Sequence, residues 1–314
     1  MFRKSIYKTP DQIRAMIAPG LATAASLDAV RALVAPGVTT LQLDAAAEAA
    51  IVAAGGHSNF KLVPGYRHTV CTSVNEDVVH GIPGSRVLQA GDIVSIDSGA
   101  EIDGWNGDSA MTIVLPDPTR PELVTERERL SAVTEGSLWA GIAELATARH
   151  LNQVGAAIEE YVEDHSPEGK PYGILTDYVG HGIGRTMHEA PPVFNYRVRQ
   201  RGPEVKPGLV VAIEPMVVAG SPDTFVRDDE WTVATLDGGS AAHWEHSVAV
   251  HRDGIWVLTA HDGGAAALAA FGVTPVRPGR VARHERADRV PSRRPPRRHR
   301  HRRRRARGHD HAGR

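Results

Sequence analysis

Four carboxylates of this sequence stand in or beside apolar runs. Asp97 lies inside the run IVSIDS, and Glu214 lies inside VVAIEPMV. Asp108 precedes the run MTIVL, and Glu245 is separated from the run SVAV by one histidine. Carboxylates are rarely buried unless they are paired or ligate a cation. Any one of them could face solvent at a strand end or pair with an arginine. Four such placements in one chain favour a shared site.

A histidine flanked by glycines, His181 in GHGIG, adds an imidazole to this set. Oxygen and nitrogen ligands without sulfur suit Mn, Fe(II), Co or Zn and disfavour a thiolate zinc site. Because a carboxylate can bridge two ions through its two oxygens, five such side chains suffice for two metals roughly 3.5 to 4 Å apart. The residue types therefore predict a dinuclear hydrolase centre.

The elements that must position these side chains form an α+β pattern. Thr9-Pro10-Asp11-Gln12 predicts a capped helix start, and a second start at Thr39-Thr40 leads to a stop at Gly55-Gly56. Further helices are predicted over 122–148 and 151–163. Strands are predicted over 70–79, 93–98, 178–184, 209–218, 231–235 and 244–250, with glycine turns at Gly99, Gly104 and Gly107 dividing the stretch after residue 98. This order predicts two similar α+β halves around a shared antiparallel sheet.

The formal net charge of -1 hides two opposite segments. Sixteen arginines, no lysine and three acidic residues lie between Val276 and Arg314, which gives that segment about +13 and the rest of the chain about -14. The Arg-rich segment 276–314 has too few apolar residues to fold alone, so we expect a disordered tail. Residues 263–275, rich in small side chains, are predicted to be a linker.

The body of the chain, residues 1–262, is long enough for a large buried core. Its one cysteine, Cys71, excludes a disulfide framework and fits a reducing compartment. The sequence shows neither a signal peptide nor an apolar run approaching the ~18 to 20 residues of a membrane span. We therefore expect a cytoplasmic protein that does not enter membranes.

Several motifs resemble those of one enzyme family. The segments SIDSGAEIDGWNGDSAMTIV, YVGHGIGRTMHEAPPVFNY, AIEPMV and WEHSVAV are similar to the five-ligand motifs of methionine aminopeptidase, and VCTSVNEDVVHGIP is similar to a segment that separates that enzyme from its relatives. The resemblance runs from Thr9 to Leu258, so 1–262 would be the catalytic domain, of the compact bacterial type I form. It implies the pita-bread fold, in which two α/β halves related by a pseudo-twofold enclose a central dinuclear metal cleft.

The resemblance also implies roles for individual residues. Asp97 would chelate one metal, Asp108 and Glu245 would bridge two, and His181 and Glu214 would bind the other, with Glu214 also taking a proton from the bridging water. The two divalent ions would be Co, Fe(II), Mn or Zn. His80 and His188 match the two non-ligand histidines of the family, which contact the scissile amide and stabilise the oxyanion.

A small apolar slot would receive the methionine side chain of the substrate. Tyr66, Cys71 and Trp231 fall where the family lines that slot, although aromatic residues are more often simple core residues. Met187, before His188, stands where bacterial members often have an aromatic residue. Cys71 is either a target for thiol-directed inhibitors or a buried inert thiol. The other body histidines receive no role, His243 and His246 among them.

The predicted reaction is metal-dependent removal of the initiator methionine from nascent proteins when the second residue is small and uncharged, by attack of a metal-bridging hydroxide on the first peptide bond. One rival is an X-Pro peptidase on the same fold, which VCTSVNEDVVHGIP and the short N-terminal region disfavour. A second rival is a non-catalytic module whose basic tail binds RNA. The tail is interpreted either as a salt-dependent contact to ribosomal RNA or as a dispensable extension. We expect a monomer.

Overall fold

The structure is a computed structural model that describes residues 5–279 of the chain. The predicted Arg-rich tail lies outside the described residues from position 280 onward, and with it the predicted contact to RNA. The described residues up to Pro278 belong to one folded unit.

Both predicted helix starts are present, and both are capped. Thr9 and Thr39 each accept a hydrogen bond from the backbone N–H three residues on, and Gln12 and Gln42 bond back to them in capping boxes. The described α-helices are α1 Pro10–Ala15, α2 Ile17–Leu33, α3 Thr40–Ala53, α4 Pro121–Leu145, α5 Asn152–His165 and α6 Ala265–Leu268.

The strands form one large and two small antiparallel sheets. They are β1 His57–Ser58, β2 Val70–Val74, β3 Asp77–Val79, β4 Ile93–Ile102, β5 Trp105–Val114, β6 Gly173–Ile174, β7 Gly180–Gly182, β8 Glu189–Val193, β9 Val210–Ile213, β10 Met216–Val218, β11 Thr224–Val226, β12 Val233–Thr235, β13 Ala241–His243, β14 Glu245–His251 and β15 Gly254–Val257. The nine-stranded sheet has the order β1-β4-β5-β14-β9-β7-β8, with β2 beside β4 and β15 beside β14. The small sheets are β13-β10-β6 and β11-β12-β3.

Two of the three predicted glycine turns are wrong. Only Gly104, with φ +72°, makes the turn between β4 and β5, whereas Gly99 and Gly107 lie inside those strands. A Cβ at Gly99 would stand 2.1 Å from Asn59 Oδ1, and one at Gly107 would stand 2.8 Å from Cα of Gly20 on α2. These two glycines therefore permit close packing on the strands rather than a reversal of the chain.

The apolar run 209–218, predicted as one strand, is two strands in two sheets. Proline lacks the N–H that a ladder requires, and the chain leaves the large sheet after β9 at Glu214-Pro215 and enters a small sheet as β10. The neighbouring segment, which pairs with both strands, makes the same change between β13 and β14 at Trp244. The Trp244 N–H donates to the Pro215 carbonyl. Glu214 and Glu245 thus both stand at the junction between sheets.

Each half of the large sheet is covered by a pair of helices, as predicted. Helices α2 and α3 pack together over β4 and β5, and their core includes Leu27, Val30, Leu43, Val94 and Ile96. Helices α4 and α5 pack together over the other half, with a core that includes Leu138, Ile142, Ile158, Val211 and Val248.

One described segment, Pro10–Leu33, is long and apolar enough to cross a membrane by length and composition, which the sequence analysis did not expect. Its most apolar window is 56% buried in the fold, and α2 contacts β4 and β5. More than half of this window is therefore part of the folded core.

The segment 263–275, predicted to be a small-residue linker, has structure of its own. It contains α6 and a following single turn, Ala269–Phe271, and Leu268 is fully buried in the core beside α4. Leu268, with Val273 packed against the same core, thus joins this segment to the body.

Candidate active site

The predicted metal ligands lie on one face of the large sheet. Asp97 on β4 pairs with Ala110 on β5, and Ala110 pairs in turn with Glu245 on β14. Paired residues in neighbouring strands share a face, and so do residues two apart in one strand. Asp108, two residues before Ala110, therefore joins the same row of side chains.

The other half of the sheet adds its ligands by the same rule. His181 on β7 pairs with Ala212 on β9, which pairs with Ser247 on β14. Glu214 follows Ala212 by two residues, at the point where the chain leaves β9. Strand register thus brings His181 and Glu214 to the face that carries the three other predicted ligands.

The five side chains converge closely. Ligand atoms of Asp97, Asp108 and Glu245 lie within 4.8 Å of one another, and so do those of His181, Glu214 and Glu245. His181 Nε2 is 3.3 Å from Glu214 Oε1 and 3.9 Å from Asp108 Oδ2. Glu245 thus belongs to both groups, and Asp108 lies beside His181, which is the arrangement that bridging ligands require.

The carboxylates show the electrostatics of a cation site. Burial raises the pKa of Asp97 to about 7. Burial and the neighbouring acids raise the pKa of each of the other three carboxyls well above the ordinary range, namely Asp108, Glu214 and Glu245. The described lining of this cavity holds no lysine or arginine. Such a group of acids is unfavourable unless cations or protons neutralise it.

Unpaired oxygens give an independent test of the fit to metal. Within the described residues, buried Asp97 Oδ1, Asp108 Oδ1 and Glu245 Oε1 have no hydrogen-bond partner. Buried polar atoms are nearly always partnered, and these three belong to residues whose ligand atoms converge on one point. The donor set, four carboxylates and an imidazole, fits a pair of divalent ions with oxygen and nitrogen preference.

His181 is held in the form that binds metal. Burial, followed by the nearby His188, lowers the pKa of His181 to about 4, so the ring is neutral. Its Nδ1 lies 3.0 Å from the Gly182 carbonyl, which only accepts, so Nδ1 carries the proton and Nε2 offers its lone pair. The contact with Glu214 is therefore not an ion pair but two predicted ligands that face the same point.

Two further histidines flank this cluster at the cavity. His80 is half-buried and has φ +61°, a left-handed conformation unusual for a residue other than glycine. His188 is exposed at the rim, and its ring meets His181 edge-on at 4.4 Å between centroids. Burial lowers the pKa of both His80 and His188, so both are neutral rings near pH 7.

An apolar wall closes the other side of the cavity, which has a volume of about 160 Å³. All three predicted slot residues line it: the rings of Tyr66 and Trp231 lie 5.1 Å apart, and Tyr66 Oη donates to the Val70 carbonyl and contacts Cys71 Sγ at 3.2 Å. Burial raises the pKa of Cys71 well above its usual value, which favours the inert thiol. Met187 lines the cavity as well, and the sequence analysis missed Phe60 and Val63.

The sequence analysis also missed His243. This histidine is buried, and its Nε2, 3.9 Å from Glu214 Oε2, has no hydrogen-bond partner in the described part of the chain. Its position two residues before Glu245 was the available signal. His246, by contrast, points away from the site, where its Nδ1 contacts the hydroxyls of Ser109 and Thr259 beneath Trp139.

Known proteins are similar to this chain in both sequence and fold. The profile of metallopeptidase family M24 matches residues 14–252. Methionine aminopeptidase 1 of Bacillus subtilis is 41% identical over 254 residues, covering 81% of this chain and 98% of that protein. Methionine aminopeptidase 1 of Mycobacterium tuberculosis is 44% identical, covering 80% of this chain and 94% of that protein.

Solved structures of related proteins have the same fold. The methionine aminopeptidase of Thermotoga maritima superposes with a TM-score of 0.74 at 35% identity and covers 82% of this chain and 99% of that chain. A prolidase from Pyrococcus furiosus shares the fold alone, at 19% identity, a TM-score of 0.59, and coverage of 81% of this chain and 65% of that one. The chain therefore belongs to metallopeptidase family M24, among the methionine aminopeptidases with the pita-bread fold.

Proposed function

We propose that this protein releases the N-terminal methionine from newly made proteins whose second residue is small and uncharged. One observation carries the proposal: four carboxylates and a neutral imidazole converge on one face of a cavity whose opposite face is an apolar slot. The metal-ligand set supplies hydrolysis, and the slot supplies preference for an unbranched apolar side chain.

The size of the cavity supports an exopeptidase. Its volume of about 160 Å³ is smaller than the roughly 300 to 1,000 Å³ of pockets that bind whole drug-sized ligands. It is suited to one amino-acid side chain, lined by Phe60, Tyr66, Met187 and Trp231. A peptide would therefore enter with its first residue only, and the rest of the chain would leave past the rim.

Five residues would hold two divalent cations: Asp97, Asp108, His181, Glu214 and Glu245. When bound, such ions supply Lewis-acid polarisation of the substrate carbonyl and lower the pKa of a water molecule. Glu214 accepts the proton that the attacking water gives up.

His80 and His188 orient the scissile bond. As neutral rings, each offers one N–H to the substrate without adding charge to the cation site. We assign them to the amide and its carbonyl oxygen, where they stabilise negative charge as the tetrahedral centre forms. We further propose that the ions are Co, Fe(II), Mn or Zn, that the chain acts as a monomer, and that it meets its substrates in the cytoplasm.

The test is methionine release from three peptides by metal-loaded protein. Met-Ala-Ser should be cleaved, Met-Leu-Ser should be cleaved at least about 100-fold more slowly, and acetyl-Met-Ala-Ser should be inert because its blocked amine adds bulk where the cavity ends. Cleavage of the acetylated peptide, or no release from Met-Ala-Ser with any of the four metals, would overturn the proposal.

A further inference from the structure

A second cavity adjoins the one that holds the ligands. It has a volume of about 310 Å³ and shares Val63, Met187 and His188 with the first cavity. We call it the outer groove, defined by these three residues together with Leu62, Glu101 and Arg185. The two cavities therefore adjoin along these shared side chains, which we call the ridge.

One wall of the outer groove is apolar. Leu62 ends a single turn, Phe60–Leu62, and its side chain is 58% exposed, although leucine is a residue that folded chains usually bury. Val63 and Met187 continue this wall to the ridge. An exposed apolar ledge beside a peptide-cleaving site is a surface on which a substrate side chain can be desolvated.

The outer groove also contains two charged side chains, Arg185 and Glu101, that make contacts within the protein. The Arg185 guanidinium lies 3.9 Å from the centre of the Trp105 ring and donates to the carbonyls of Asp103 and Gly104 at 2.8 and 3.1 Å. Glu101 Oε1 accepts the Gly104 N–H at 2.8 Å. These bonds hold the two charged side chains in place beside the apolar ledge, which is the surface that can desolvate a substrate side chain.

We propose that the outer groove binds the side chain of the third substrate residue and favours an apolar one. The proposal rests on the function given above, which puts the scissile bond beside His188. In an extended peptide, residues 1 and 3 point to the same side and lie about 7 Å apart. Residue 1 in the first cavity and residue 3 in the outer groove therefore straddle the ridge of Val63 and Met187.

The experiment compares kcat/KM for Met-Ala-Leu-Ser and Met-Ala-Ser-Ser with metal-loaded protein. We expect the leucine peptide to be preferred about tenfold, the order given by partial burial of one leucine side chain. Leu62→Ser should reduce that preference to about threefold or less. Leu41→Ser, which changes an exposed leucine on α3, should leave it intact.

Equal kcat/KM values for the two peptides, or an unchanged preference in Leu62→Ser, would overturn the role proposed for the outer groove. Either result would leave the proposed function in place. Failure to release methionine from either peptide would overturn both. The two failures are therefore distinguishable.

Discussion

A buried ion pair ties the N-terminal segment to the loop that carries His188. Lys8 Nζ lies 2.9 Å from Glu189 Oε2, and their side chains are 6% and 21% exposed. The other oxygen of Glu189 accepts the backbone N–H groups of Arg185 and Thr186. We predict that Lys8→Met destabilises the fold and displaces His188.

The magnitude follows from burial. Removing one partner of a fully buried pair costs about 3 to 5 kcal/mol. Glu189 is partly exposed and keeps two backbone donors, so we reduce this to about 2 kcal/mol for Lys8→Met. A domain of this size loses roughly 2 to 4 °C of melting temperature per kcal/mol, so the melting temperature should fall by about 5 °C. We expect kcat to fall about tenfold, because small displacements of catalytic groups slow the reaction strongly.

The pH dependence has a definite sign. Burial alone would raise the pKa of Glu189, but the hydrogen bond and charge of Lys8 and the two backbone donors bring it below the ordinary value. A carboxylate whose folded pKa is lowered stabilises the fold above its unfolded pKa, about 4.3, and loses this contribution as pH falls through its folded pKa. The difference in the free energy of unfolding between wild type and Lys8→Met should therefore be largest at pH 6 to 7 and should shrink below about pH 4.

Urea unfolding at several pH values measures this difference. Lys61→Met is the matched control, since Lys61 pairs with Glu48 at a more exposed position and should cost less than about 1 kcal/mol. A loss in Lys8→Met no larger than in this control, or one that persists undiminished at pH 3.5, would refute the reasoning.

Three further predictions concern the site. Glu214→Gln should lower kcat by about 10² to 10⁴ while the exposed control Glu204→Gln keeps its rate, as measured by methionine release; a retained rate in Glu214→Gln would remove it as the base. His243→Leu should weaken Co²⁺ binding about 10- to 100-fold, as measured by calorimetry, because residues that contact a metal ligand such as Glu214 help to orient it. Unchanged affinity would show that His243 does not have this role. Cys71 in native protein should react with a disulfide reagent on the order of 100-fold more slowly than in urea, and equal rates would contradict its burial.

Much of the site was predictable because its signals are local. Carboxylates in or beside apolar runs indicated Asp97, Asp108, Glu214 and Glu245, whose ligand atoms the fold brings together. Turn and cap residues predicted two helix starts. Pro215 inside the run 209–218 was a signal for the strand break, since proline removes a ladder donor, but an apolar run alone does not say which sheet each half joins.

Other features depend on contacts between distant segments. Phe60 and Val63 belong to an irregular turn with no periodic pattern, and their place in the cavity follows from packing against Trp231 and Met187. Leu268 gave no sign in the sequence that it would anchor the segment after residue 262. His243 stands two residues before Glu245 in the sequence, but its place beside Glu214 depends on the change of sheet at Trp244.

The central claim is that the converging carboxylates and His181 form a metal site on which methionine release depends. The most direct measurement is the rate of methionine release from Met-Ala-Ser as Co²⁺ is added to chelator-stripped protein. We predict no release before addition, a rise that saturates at no more than two ions per chain, and no rise in Asp108→Asn. Release that is already complete in stripped protein, or that is restored fully in Asp108→Asn, would contradict the account.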